Sequence, residues 1–151
     1  MGDSRIVKIH KKIAELVAGD FSTGFSGVDF TSRGFRYVNL DNILIPSVGV
    51  KFIDCIEKNT NVTLGRFRAT ATFEIYAFLN GTNNAERTDL SLNACSDMVG
   101  ELVSNRQLGL GNEVDDLLCD FTSIDGDVFG VDGVAVGYVR CKVFFQTETG
   151  A

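Results

Sequence analysis

"GRFRATATFEIYAFLN" (Gly65–Asn80) decides how this chain folds. Phe67, Ala69, Ala71, Phe73, Ile75, Ala77 and Leu79 occupy one set of alternate positions, and Arg66, Arg68, Thr70, Thr72, Glu74 and Tyr76 the other. A period of two marks a β-strand with one buried face, because successive side chains leave a strand on opposite sides. At about 3.3 Å per residue, Arg66 to Leu79 spans roughly 45 Å, against about 20 Å for an ordinary strand. The length predicts that part of this strand and its partner bends or projects beyond one small core, within reach of a neighbouring chain.

The flanking segments supply partners. "SVGVKFIDCIE" (Ser47–Glu57) reads as the preceding strand, with "KNTNVT" as the turn between them. "NGTNN" then turns into a second helix over residues 85–105, whose stripe is Leu92, Cys95, Val99, Leu102 and Val103 with Met98 beside it. An acidic strand, "EVDDLLCDFTSI", follows; "DGDVFGVDG" turns, and "VAVGYVRCKVFFQT" returns as a long closing strand. Ahead of all this, residues 4–18 form an amphipathic helix. Ile6, Ile9, Ile13, Leu16 and Val17 make its apolar stripe, and Arg5, Lys8, Lys11, Lys12 and Glu15 its polar side, with His10 on or beside the latter. Asp3 or Ser4 can cap its start and Gly19 can end it.

Residues 20–46 are rich in Gly, Ser and Phe without a sustained period, and read as a long irregular connection with one short strand at Arg36–Leu40. Connections of this length are commonly functional. The order α-β-β-α-β-β over residues 1–151 predicts a single α+β domain. Its mainly antiparallel sheet is built from two long β-hairpins, with two helices packed on one face.

"RQLGLGNEV" (Arg106–Val114) is the stretch most like a cofactor site. A phosphate loop runs strand, glycines, helix, so that free N–H groups point at the anion. Here the glycines follow a helix, and Val114 stands where a third glycine would be needed. The pair reads as a helix stop, since glycine takes the left-handed conformation without steric cost. No cofactor is expected.

Catalytic groups are sparse. His10 is the one histidine, and no neighbouring Ser or Cys pattern accompanies it. Cys55, Cys95, Cys119 and Cys141 form no C-x-x-C and each lies in an apolar run, so they read as buried, reduced thiols and not as metal ligands. Asp125, Asp127 and Asp132 could offer oxygens to calcium. Phe129 and Val131 stand where an EF-hand loop would want ligands, and the stretch reads as a solvated turn. No catalytic residue and no metal are expected.

A net charge of −6 opposes general nucleic-acid binding, which takes an excess of Lys and Arg. No run is apolar and long enough to cross a bilayer, and "MGDSRIVKIHKKIAELV" has no apolar signal core. The charge is unevenly laid out. The first hairpin carries Lys51, Lys58, Arg66 and Arg68, whereas Glu113, Asp115, Asp116, Asp120, Asp125, Asp127 and Asp132 lie between Gln107 and Val139 with no Lys or Arg among them. Patches of opposite sign on different sides of one chain favour head-to-tail contacts between copies, which close into rings when the rotation permits.

The amphipathic first helix, "LIPSVGVKF", "GRFRATATFEIYAFL", "TDLSLNACSDMVGELVSNRQLGLG" and "VAVGYVRCKVFFQTETG" together resemble the tail-terminator (tail-completion) proteins of tailed bacteriophages. The likeness covers most of residues 4–149, while residues 20–40 are longer and richer in glycine than the family pattern. The resemblance implies a structural virion protein: a hexameric ring at the head-proximal end of the tail, ending the tail tube and meeting the head–tail connector and neck. It implies no catalytic residue, no cofactor and no membrane. Six copies would multiply the charge of −6, and an acidic lumen would let DNA pass without specific binding. Arg66 and Arg68 against Asp125 and Asp127 are the candidate subunit contacts. The rival expectation is a small-molecule- or ion-binding α+β module, or an enzyme, with its site under the 20–46 loop.

Overall fold

The computed structural model describes residues 2–17, 31–32, 47–61, 66–125 and 134–148. In chain order these form α1 (Arg5–Val17), β1 (Thr31–Ser32), β2 (Ser47–Asn61), β3 (Arg66–Asn80), α2 (Asn84–Ser104), a 3-10 turn (Gly111–Glu113), β4 (Asp116–Asp125) and β5 (Val134–Glu148). The expected strand at Arg36–Leu40 lies outside the described residues; the short strand present is β1, which runs parallel to β2 at Val48 and Gly49. The sheet order is β1-β2-β3-β5-β4, so two antiparallel hairpins join through β3 and β5. The fold is α+β, as the element order predicts.

β3 keeps the alternation of its sequence. Ala69, Ala71, Phe73, Ile75, Ala77 and Leu79 all enter the core beneath the helices. β5 pairs with β3 from Arg66 opposite Glu148 to Asn80 opposite Val134. β4 reaches only as far as Phe144, so beyond that point the sheet narrows to β2, β3 and β5. Burial continues to Ala69 and Phe145; just past them Arg68 is exposed and Gln146 half-buried, and the side chains of the strand ends beyond lie outside the described set.

β2 contains a bulge. Phe52 pairs with Phe73 but Asp54 with Thr72, which leaves Ile53 as the extra residue. A bulge reverses which side chains face the core. Val48 and Val50 point inward before it, and Cys55 (opposite Ala71) after it. Ile56 is thereby turned onto the helix-free face, where it is 58% exposed.

α1 starts where the Val7 N–H donates to Ser4 Oγ at 3.3 Å, as the capping pattern predicts. Ile9, Ile13 and Val17 are fully buried, each worth about 1.5–3 kcal/mol over exposure. His10 departs from its expected polar position. It is half-buried against the sheet, with Nε2 3.0 Å from the Val50 carbonyl oxygen and its ring centroid 5.2 Å from that of Phe73.

α2 is capped by Asn83, whose side chain accepts from the Glu86 N–H at 2.9 Å, and it ends at Ser104. Its buried face is Ser91, Ala94, Cys95, Met98 and Leu102, a stripe rotated from the expected one; Leu92 is 41% and Val103 39% exposed. The reason is close approach to β5. A Cβ on Gly137 would stand 2.9 Å from both the Ser91 carbonyl oxygen and Cys95 Sγ, so the helix presents its smaller residues there.

The helix-free face is not wholly polar either. Thr72, Tyr76, Phe78 and Val136 are buried on it, and the Tyr76 ring lies 5.2 Å from that of Tyr138 and 6.3 Å from that of Phe78. Both Tyr76 and Tyr138 donate their hydroxyls to the Glu74 carboxylate.

Candidate subunit interface

Strand register fixes where the candidate contact residues stand. Arg66 opens β3 opposite Glu148, and Arg68 lies opposite Lys58 on one side and Gln146 on the other. Asp125 closes β4 opposite Ala135. Along β5, the positions of Gln146 and Ala135 are about 36 Å apart at 3.3 Å per residue. Arg68, near one end of the central strand β3, and Asp125, at the far end of the edge strand β4, therefore lie at opposite ends of the sheet, too far apart to meet within one chain. Arg68 is exposed, and Asp127 lies outside the described residues, as does Asp132.

The acidic stretch does not gather at one end, because β4 carries it along an edge of the sheet. Asp116 pairs in register with Phe144, Asp120 with Arg140 and Asp125 with Ala135. β2, with Lys51 and Lys58, lies on the far side of β3 and β5. The acids of β4 and the lysines of β2 are thus separated laterally but not lengthwise: Asp116 pairs only two positions along β5 from the partner of Arg68, and Asp120 lies in the same row as Lys51. Acids stand within the basic end of β3 too, Glu148 opposite Arg66 and Glu57 opposite Ala69.

The basic side of α1 is largely neutralised within the chain. Lys8 pairs with Glu113 at 3.0 Å, Lys11 with Asp3 at 2.6 Å and Lys12 with Glu15 at 3.3 Å. Exposed pairs of this kind stabilise a fold by well under about 1 kcal/mol, yet they remove α1 as a strong basic docking face.

A row of alternating charge crosses the helix-free face. Lys51, Glu74, Arg140 and Asp120 are register neighbours on β2, β3, β5 and β4. Sequence reading missed it, since the four residues become neighbours only when all three strand registers are known.

The segment after α2 answers the question of the glycines. Gly109 and Gly111 have φ of 69° and 59°, so both take the left-handed backbone expected of them. The helix itself has already ended at Ser104, and Asn105 Nδ2 donates to the Glu101 carbonyl at 2.8 Å. Leu108 is also left-handed, with φ of 54°, although its side chain is buried. A branched residue in that conformation is strained, by about 1–2 kcal/mol. Beside it, a groove of about 770 Å³ is lined by Val103, Arg106, Gly109, Gly111, Asp115 and Asp116 among others. Arg106 holds Asp116 across it, Nε to Oδ1 at 2.7 Å and Nη2 to Oδ2 at 3.2 Å. These bonds keep the Asp116 carboxyl below the usual carboxylate range.

Among the described residues no group of three or more His, Cys, Asp or Glu is placed to hold a metal ion, and no helix is long and apolar enough to cross a membrane. Compared with known proteins, the chain matches no protein-family model and no curated protein.

Proposed function

We propose that this chain is a structural subunit that assembles head to tail into a ring, acting by shape and self-association and not by catalysis. The observation that carries this reading is the separation of Arg68 and Asp125 at opposite ends of one sheet. Charges of opposite sign that lie too far apart to meet in one chain can meet between copies, and a contact between two different surfaces is heterologous. The resemblance to tail-terminator proteins supplies the setting: a ring of six at the head-proximal end of a phage tail, ending the tube and joining the neck. The long β3–β5 ladder supports it, as a stiff plate suited to a load-carrying joint.

Light scattering on the purified chain tests this directly, followed by negative-stain imaging. A mass near six chains and particles with a central hole support the ring. A monomer at high concentration that binds calcium or a small metabolite supports the rival module.

A further inference from the structure

Cys119 on β4 and Cys141 on β5 are register partners in an antiparallel pair, and both are thiols. Directly opposed residues in such a pair have Cα atoms about 4.5 or 5.5 Å apart, depending on the hydrogen-bonding class of the site. Both values fall within the roughly 4.4–6.8 Å that a disulfide spans. The two side chains also point to the same face, as opposed residues must. We propose that Cys119 and Cys141 form an oxidisable dithiol, a modification site at which a low-molecular-weight disulfide closes a covalent bond between β4 and β5. The inference is independent of the ring reading.

The two thiols differ in a way that sets the order of steps. Cys141 is fully buried, whereas Cys119 is half-buried on the outermost strand. The thiols are also hydrogen-bonded to each other. That bond holds Cys119 below its ordinary value, and together with burial it raises Cys141. Cys119 is thus the accessible thiolate and attacks first, while Cys141 is reachable only through it. The Cys119 thiolate attacks one sulfur of the small disulfide, forming a mixed disulfide and expelling one thiolate. The Cys141 thiol loses its proton to solvent base, and its thiolate attacks Cys119 Sγ, expelling the second small thiolate. Two protein thiols are oxidised by two electrons, and one small disulfide is reduced to two thiols.

The other two cysteines are built differently. Cys95 lies on the buried face of α2, 3.7 Å from the Tyr138 carbonyl oxygen and 3.8 Å from that of Thr122, and burial pushes its thiol up to about 11. Cys55 stands opposite Ala71. Neither has a cysteine as its register partner.

The test is incubation of the native full chain with glutathione disulfide, followed by intact mass and non-reducing peptide mapping. The expected product has lost two hydrogens and yields a linked Cys119–Cys141 peptide, with Cys55 and Cys95 still alkylatable after unfolding. In C141A the glutathione adduct at Cys119 should persist at least tenfold longer than in the unaltered chain. In C119A, Cys141 should stay unmodified until the protein is unfolded. A reaction that stops at the adduct in the unaltered chain, or a link through Cys55 or Cys95, overturns the proposal. Mapping of the unaltered chain alone decides the matter should either variant fail to fold.

Discussion

Gly137 lies so close beneath α2 that a methyl group on it would stand 2.9 Å from the Ser91 carbonyl oxygen. This neighbour is backbone and not a movable side chain, so the helix itself must shift. Gly137→Ala should destabilise the fold by about 1–3 kcal/mol, the range for overpacking a core. Thermal unfolding should register this at roughly 2–4 °C per kcal/mol. Adding Cys95→Ala removes only the second clash, at Cys95 Sγ, and should recover part of the loss. Unchanged stability in Gly137→Ala would mean that α2 packs less closely than described.

Leu108 offers a test in which glycine should win. Its φ of 54° is costly for any residue with a Cβ, while its side chain is buried. Leu108→Ala keeps the strain and loses the packing, for about 2–5 kcal/mol. Leu108→Gly loses slightly more packing but relieves the strain, and should be more stable than Leu108→Ala by about 1 kcal/mol. Urea unfolding of both variants gives the order.

The Arg106–Asp116 pair carries a pH prediction. The folded-state value of Asp116 is depressed, so its contribution to stability is complete above the unfolded-state value and is lost as pH falls through the folded one. Arg106→Gln should move the Asp116 carboxyl titration upward, as followed by carboxyl carbon NMR. With both groups on the surface, stability near neutral pH should hardly change.

Reversal of charge addresses the ring. Arg66→Glu with Arg68→Glu should abolish assembly, as measured by light scattering. Adding Asp125→Arg and Asp127→Arg should restore it, because the sign of each partner is then exchanged. An assembly untouched by the first pair of changes would discard this contact.

Oxidation should strengthen the β4–β5 hairpin. A disulfide from Cys119 to Cys141 closes a loop for which chain-entropy reasoning gives about 3 kcal/mol. The urea midpoint of the oxidised chain should rise and return on reduction.

The sheet was largely legible in the sequence, for identifiable reasons. β3 alternates at every position from Ala69 to Leu79, and a period of two admits one reading. β2 was legible as a strand but not in its phase. Val48, Val50, Phe52, Ile53, Cys55 and Ile56 suit either face, so the bulge at Ile53 left no mark. The α2 stripe was legible at Cys95, Met98 and Leu102 and misplaced at Leu92 and Val103, because hydrophobicity favoured those two whereas close approach to Gly137 brings Ser91 to the buried side. Arg68 and Asp125 were visible as charges, but their places at opposite ends of the sheet follow from register, to which composition is blind. The pairing of Cys119 with Cys141 was hidden likewise. Folding the last hairpin symmetrically about "DGDVFGVDG" sets Cys119 opposite Val139, two residues away from its actual partner.

The extra residue at Ile53 is one that β2 could lose without moving its neighbours. Deleting it would leave Asp54 opposite Thr72, Cys55 opposite Ala71 and Ile56 opposite Thr70, an uninterrupted ladder with each side chain on its present face. Dropping a paired residue instead would send every later side chain to the wrong face, so descendants of this sequence should tolerate a gap at Ile53 more readily than at the paired positions on either side.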